Sequence, residues 1–83
     1  MSGYLYILFS QKLSKYYIGS TPDIERRLAE HNRGKEKFTK PGLPWDLVYK
    51  EEFNDLKTAR QREFFIKQKK SRIYIEKLIS SAG

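Results

Sequence analysis

Aromatic and aliphatic residues cluster at the start of the chain from Tyr4 to Phe9, and a second such run covers Tyr16 to Gly19. The polar segment Ser10 to Lys15 separates them, so the pair reads as a β-hairpin with a long loop. The pattern then changes period. Ile24 and Leu28 stand one turn apart among charged residues, which predicts a helix from Pro22 to about Asn32. Thr21 is placed to cap it, Pro22 suits its first turn, and Gly34 suits its stop. The segment Lys35 to Pro44, punctuated by Pro41, Gly42 and Pro44, reads as a loop. Trp45 to Phe53 reads as a third strand, with Leu47, Tyr49 and Phe53 on one face and Val48 on the other. Asn54 or Asp55 caps a helix from Leu56 to Lys69, and Ser71 caps a last helix ending near Ser80. The order β-β-α-β-α-α implies an α+β fold, in which helices flank a small three-stranded, largely antiparallel sheet.

With 83 residues the chain has room for one modest core, so residues 1–83 are read as a single domain. It contains no cysteine and a single histidine, His31, which excludes a disulfide framework, a thiolate zinc site and a histidine cluster. Any metal must rest mainly on oxygen ligands. The run Tyr4 to Phe9 is far shorter than the roughly 20 residues of a membrane span. It also lacks a preceding basic segment and a following cleavage site, so the expectation is a cytoplasmic protein.

The formal net charge is +7, and its distribution sharpens the picture. Lys57, Arg60, Arg62, Lys67, Lys69, Lys70, Arg72 and Lys77 follow one another with only Glu63 and Glu76 between them. Such a face attracts polyanions, with nucleic acid the leading partner; it would equally serve as a solvated helix surface.

Candidate chemistry lies at a few positions. Period-two alternation puts Tyr6 and Tyr17 on faces that can meet, as phenols at a site or as cross-strand aromatic packing. Gly19 weakens its strand, which points to a close approach at that position or to the strand's end. Arg27 and His31 stand one turn apart at the inner edge of the first helix. A guanidinium there pairs with a carboxylate or receives an anion, and its fork suits phosphate oxygens. Glu63 falls within the apolar arc of Leu56, Ala59 and Ile66, where a carboxylate is costly unless paired or bound to a metal. Arg60 and Lys67, one turn away on either side, supply the alternative of an ion pair. Together these groups suit phosphodiester hydrolysis. A hard oxygen ligand such as Glu63 can hold Mg2+ or Mn2+. Arginine steadies phosphoryl charge. A tyrosine, with an ordinary pKa of about 10, needs help to act as a base.

Tyr4-Leu5-Tyr6, then Tyr17-Ile18-Gly19, then Gly19-Ser20-Thr21 leading into Glu25 to Asn32, resembles a GIY-YIG nuclease domain. Trp45 to Phe53 is similar to that family's third strand. Ala59-Arg60-Gln61-Arg62-Glu63 followed by Ile66-Lys67 is similar to its helix with the metal glutamate. The resemblance covers nearly the whole chain, and in size the chain is similar to the short stand-alone bacterial members. It implies that Tyr6 and Tyr17 flank the attacking water, Arg27 binds the scissile phosphate, His31 assists proton transfer or positioning, and Glu63 ligates Mg2+ or Mn2+. In two places the chain departs from the pattern: Gly3 stands one position early in the first motif, and no asparagine follows Asn54, where several relatives carry one. Larger relatives include homing endonucleases, restriction enzymes and the incision subunit of nucleotide excision repair, in which extra domains choose the target.

The resulting expectation is a metal-dependent endonuclease on DNA, structure-directed or weakly sequence-specific, with a non-catalytic nucleic-acid-binding module as the alternative. Lys35, Lys37, Lys40, Lys67, Lys69, Lys70 and Arg72 would make sequence-independent phosphate contacts. Phe38 or Trp45 would stack on an exposed base, core packing being the stronger reading for Trp45. RNA stands as a second substrate and a targeting protein as an additional partner. No membrane and no nucleotide cofactor are expected. Oligomeric state is not legible.

Overall fold

The long apolar run near the start becomes the central strand of the sheet, because it must be covered on both of its faces. The computed structural model describes residues 2–82. Strand β1 (Gly3–Ser10) pairs antiparallel with both β2 (Lys15–Thr21) and β3 (Asp46–Phe53), giving the order β2-β1-β3. Helix α1 (Ile24–Asn32) lies on one face, and α2 (Leu56–Lys69) and α3 (Arg72–Ala82) serve the other. A short helical turn, Lys40–Gly42, interrupts the loop before β3. The α+β class and the element order are those the sequence implies.

Two apolar clusters follow from this layering. Leu5, Ile7 and Ile18 pack under Ile66 of α2, with Tyr74, Ile75 and Leu78 of α3 against them. Tyr6, Leu8 and Trp45 pack on the opposite face with Ile24 and Leu28 of α1. Burying a side chain such as Leu5 or Ile66 contributes about 1.5–3 kcal/mol each, so β1, which feeds both clusters, anchors the domain.

Local details explain where the elements stop. Asp55 caps α2 by accepting from Thr58 N at 2.7 Å, and Ser71 Oγ accepts from Tyr74 N at the start of α3. Gly34, at φ 77°, ends α1 in the left-handed region that glycine adopts without strain. The cap of α1 differs from the expected Thr21. Thr21 stays in β2 opposite Tyr4, its hydroxyl turned to Asp23, so Asp23 caps the helix by accepting from Arg26 N. Trp45 likewise falls just outside β3, buried, with Nε1 donating to Thr39 O at 2.6 Å.

Strand β3 breaks the expected alternation. Ile7 faces Tyr49 whereas Leu8 faces Leu47, so Val48 is the extra residue of a β-bulge. Leu47 therefore joins the α1 side while Val48, Tyr49 and Phe53 all join the α2–α3 side. A bidentate pair, Arg62 with Glu51 at 2.9 and 3.1 Å, fastens α2 to that strand. Arg62 and Tyr49 outweigh the effect of burial on Glu51 and hold its carboxyl below its usual range.

Candidate active site

Strand pairing sets the geometry on the α1 face of the sheet. Tyr6 lies opposite Gly19 and Tyr17 opposite Leu8, which makes the two tyrosines diagonal neighbours with ring centroids 6.4 Å apart. Gly19 lies inside β2 rather than at its end, and the close approach there is made by a side chain. The Tyr6 ring crosses directly over it, so a Cβ there would overlap Tyr6 Oη and lie 2.6 Å from Cζ. Gly19→Ala should therefore destabilise the fold by about 1–3 kcal/mol, the usual cost of overpacking. The loss should shrink when Tyr6 is also alanine, as a coupled pair in a thermal-melting cycle requires. Additive losses would mean that the ring does not need the missing Cβ.

Helix α1 places Arg27 and His31 over the tyrosines. His31 is fully buried, with Nε2 3.1 Å from Tyr6 Oη and Nδ1 2.9 Å from Thr39 Oγ1. The Thr39 hydroxyl also reaches Glu36 O at 3.4 Å, and that bond directs its proton away from the ring. The consistent assignment has His31 Nδ1–H donating to Thr39 and Nε2 accepting from the Tyr6 hydroxyl. Arg27 Nε donates to the same phenol oxygen at 3.4 Å. Tyr17 closes the group, its ring edge-on to His31 at 5.0 Å and to Trp45 at 6.2 Å.

The electrostatics follow from burial. Desolvation, opposed by the Arg27 hydrogen bond, pushes the Tyr6 phenol up to about 12. At neutral pH it is a protonated donor, not a phenolate. Burial, helped by the Arg27 charge, lowers His31 below its ordinary value, so the imidazole is neutral and free to accept. A histidine held neutral by folding makes stability depend on pH, because the unfolded chain binds the proton more readily. Its contribution is complete above the unfolded pKa of about 6.5 and is lost as pH falls through the lower folded value. Melting temperatures between about pH 7.5 and pH 5 should fall on the acid side, and His31→Gln should flatten that fall. An unaltered slope in the variant would assign the pH dependence to other groups.

Arg27 is held on its far side by carboxylates. One terminal nitrogen, Nη1, donates to Glu36 Oε1 at 2.8 Å and to Glu30 Oε1 at 3.2 Å. Glu30 is thus half-buried in the Arg27 network. Glu36 and Thr39 were missed altogether. Glu36 had a signal, being the only acid between Glu30 and Asp46 in a basic loop; Thr39 had none. Beside Arg27 an open groove of about 230 Å3 is lined by Thr21, Pro22, Asp23, Arg26, Arg27 and Glu30.

Glu63 approaches from the other layer, around the open edge of β2. Its Oε1 accepts from Ser20 Oγ at 2.6 Å and its Oε2 pairs with Lys67 Nζ at 2.6 Å. Ser20 is next to Gly19, and the Glu63 charge adds the last of the influences that raise Tyr6. The structure therefore shows the ion-pair alternative for this residue, made with Lys67 at the rim of the tyrosine group. Glu63 is 21% exposed and Lys67 50%. Partly exposed i,i+4 pairs of this kind contribute only about 0.3–0.5 kcal/mol, so Lys67 would be a weak competitor to a divalent cation. Among the described residues no group of three or more histidine or carboxylate side chains gathers to hold a metal. A single carboxylate still fits Mg2+, which keeps several of its waters and takes one or two protein carboxylates.

The basic residues divide by environment. Lys35, Lys37 and Lys40 project from the loop, and Lys69 and Lys70 are exposed at the end of α2. Lys69 Nζ stacks over Phe65 at 4.6 Å. Lys67 is engaged by Glu63, and Arg72 by Glu76 and Ser14 O. Lys15, absent from the expected set, joins Lys67, Lys70 and Arg72 around a cleft of about 320 Å3 at the β2 edge.

The fold that brings these side chains together is a nuclease-type domain by its family match. A family model described as the GIY-YIG catalytic domain matches residues 2–77, and the chain belongs to that family. It is similar to a UPF0213 protein of Streptococcus pneumoniae, 44% identical over 68 residues, with 81% of this chain and 68% of that one covered. The UPF0213 protein YazA of Bacillus subtilis is 38% identical over 69 residues, covering 78% and 70%. Among solved structures, a solution NMR structure of a UPF0213 protein from Bacillus halodurans superposes with a TM-score of 0.63. It is 34% identical and covers 100% of this chain and 87% of that chain.

Proposed function

We propose that this chain is a metal-dependent endonuclease that hydrolyses phosphodiester bonds in DNA. The observation that carries the reading is the bonded chain Arg27 Nε to Tyr6 Oη to His31 Nε2, with Tyr17 beside it and Glu63 at the same sheet edge. Arg27 receives the scissile phosphate from the groove at its side, exchanging Glu36 and Glu30 for phosphoryl oxygens. Tyr17, less buried than Tyr6, orients the attacking water. The proton leaving that water passes to Tyr6 Oη as the Tyr6 proton moves to neutral His31 Nε2, so neither phenol must be a free phenolate. Glu63 holds Mg2+ or Mn2+, which supplies charge neutralisation at the phosphate and a more acidic water. Lys35, Lys37, Lys40, Lys69 and Lys70 contact backbone phosphates, and Lys67 and Arg72 join them once their carboxylate partners exchange.

The same ion pairs support a second reading. With Lys67 on Glu63 and both carboxylates on Arg27, the free protein resembles a binding module whose chemistry is locked. Labelled single-stranded, duplex, flapped and branched DNAs incubated with Mg2+, Mn2+ or EDTA separate the two. Cleavage that requires metal supports the nuclease. Salt-sensitive binding with no product on any substrate selects the module.

A further inference from the structure

Phe38 is 92% exposed, yet the turn that carries it is pinned from within. Glu36 and Thr39 close that turn, Thr39 N and Lys40 N both donating to Glu36 O at 3.3 and 3.0 Å. Glu36 holds Arg27 at 2.8 Å, Thr39 Oγ1 bonds His31, and Thr39 O accepts from the Trp45 indole at 2.6 Å. Thr39 itself is buried at 1% exposure. The aromatic ring therefore stands in solvent one residue from a direct partner of His31 and two from a direct partner of Arg27. Lys37 precedes it and Lys40 follows two residues on, both exposed cations proposed above to contact phosphates. The other exposed aromatics differ. Phe65 is covered by Arg62 and Lys69, and Phe64 lies in a groove with Lys57, Arg60 and Gln61 on α2, without a bonded link to the tyrosines.

An exposed ring between cations, fixed to the groups proposed to act on the phosphate, matches how proteins hold a base outside its stack. We infer that Phe38 is a stacking wedge for an unpaired base beside the scissile phosphate. The preferred substrates are then DNAs already opened at that point: flaps, gaps and branches. In continuous duplex the ring must first part a base step, and the cost of unstacking offsets the gain from stacking. In opened DNA the base is already free. This inference deepens the nuclease reading and rests on it for the identity of the reacting phosphate, but stacking requires no cleavage.

Equilibrium binding in EDTA tests it, with flapped DNA and matched duplex of equal length titrated against wild type, Phe38→Ala and Phe38→Trp. The alanine variant should lose about tenfold or more in flap affinity, as removal of a base-stacking ring does. Its duplex affinity should stay within about twofold, while tryptophan, a larger ring, should keep the flap preference. 2-Aminopurine at the unpaired position should change fluorescence on binding wild type and Phe38→Trp but not Phe38→Ala. Unchanged flap affinity in Phe38→Ala, or equal losses on flap and duplex, would overturn the wedge. So would a collapse of its melting transition, since that would make Phe38 a packing residue. If flap preference follows the ring but no metal releases product, the wedge stands and the nuclease reading falls. Metal-dependent cleavage without any ring effect gives the converse.

Discussion

Glu63→Gln is expected to reduce metal-dependent DNA cleavage by roughly a thousandfold or more while leaving the fold intact. Glutamine keeps the shape of the side chain and an oxygen that can still accept from Ser20 Oγ. What it removes is the negative charge, the proposed anchor of the metal. Transition-state stabilisation by such an ion is worth several kcal/mol, and each 1.36 kcal/mol is about tenfold in rate. On the stability side the loss is only the pair to Lys67, about 0.3–0.5 kcal/mol at this exposure. Single-turnover cleavage and thermal melting therefore separate the roles of Glu63. A large rate loss with an unmoved transition supports the metal role, whereas a large drop in melting temperature with residual activity would make Glu63 a structural ion-pair residue. Freed from Glu63, Lys67 should also raise affinity for DNA slightly.

Tyr6→Phe should lower kcat by about a hundredfold or more, within the usual range for a lost acid–base group. Unlike the glutamate, this phenol is interior, 3% exposed, and its removal breaks two contacts at once. Arg27 Nε loses an acceptor and His31 Nε2 loses its donor. Leaving the buried imidazole nitrogen unpaired costs about 1–3 kcal/mol, so this variant should melt earlier as well as cleave more slowly. The pH–rate profile distinguishes a chemical role from mere loosening. In wild type the rate should hold through neutral pH and fall only on the acid side of about 6.5, where His31 becomes protonated and can no longer accept. In Tyr6→Phe the remaining activity should lose that acid limb. A residual rate with the wild-type profile would show that the proton does not travel through Tyr6 and His31.

Much of this arrangement was legible in the sequence for identifiable reasons. The α2 limits came from a carboxylate cap and a helical period that no tertiary contact overrides. Paired tyrosines followed from alternation on adjacent strands, and Arg27 and His31 from their spacing of one turn. Other features had no local signal. The bulge at Val48 reverses the faces of β3 within a pattern that still reads as alternating. Thr21 looks like a cap until its pairing with Tyr4 is known. Thr39 reaches His31 across an irregular loop, where no periodicity applies. Glu63 shows the deepest ambiguity: one helical position is compatible with an ion pair and with the proposed metal role, and only the Ser20 contact reveals that it lies beside the tyrosines.

On the proposed reading, the ion pairs describe a resting site. Arg27 rests on Glu36 and Glu30, and Glu63 rests on Lys67, all partly exposed. Pairs of this kind are weak in water, whereas a phosphodiester with a bound cation offers charge-assisted hydrogen bonds in a more enclosed setting. Substrate can thus exchange these partners without unfolding any element. The most direct test of this account is cleavage of an end-labelled flapped DNA in Mg2+ and in EDTA by wild type, Tyr17→Phe and Glu63→Gln, with binding recorded for each protein. Product is expected only from wild type with metal, with near-equal binding throughout. Equal product from all three proteins, or product that persists in EDTA, would contradict it.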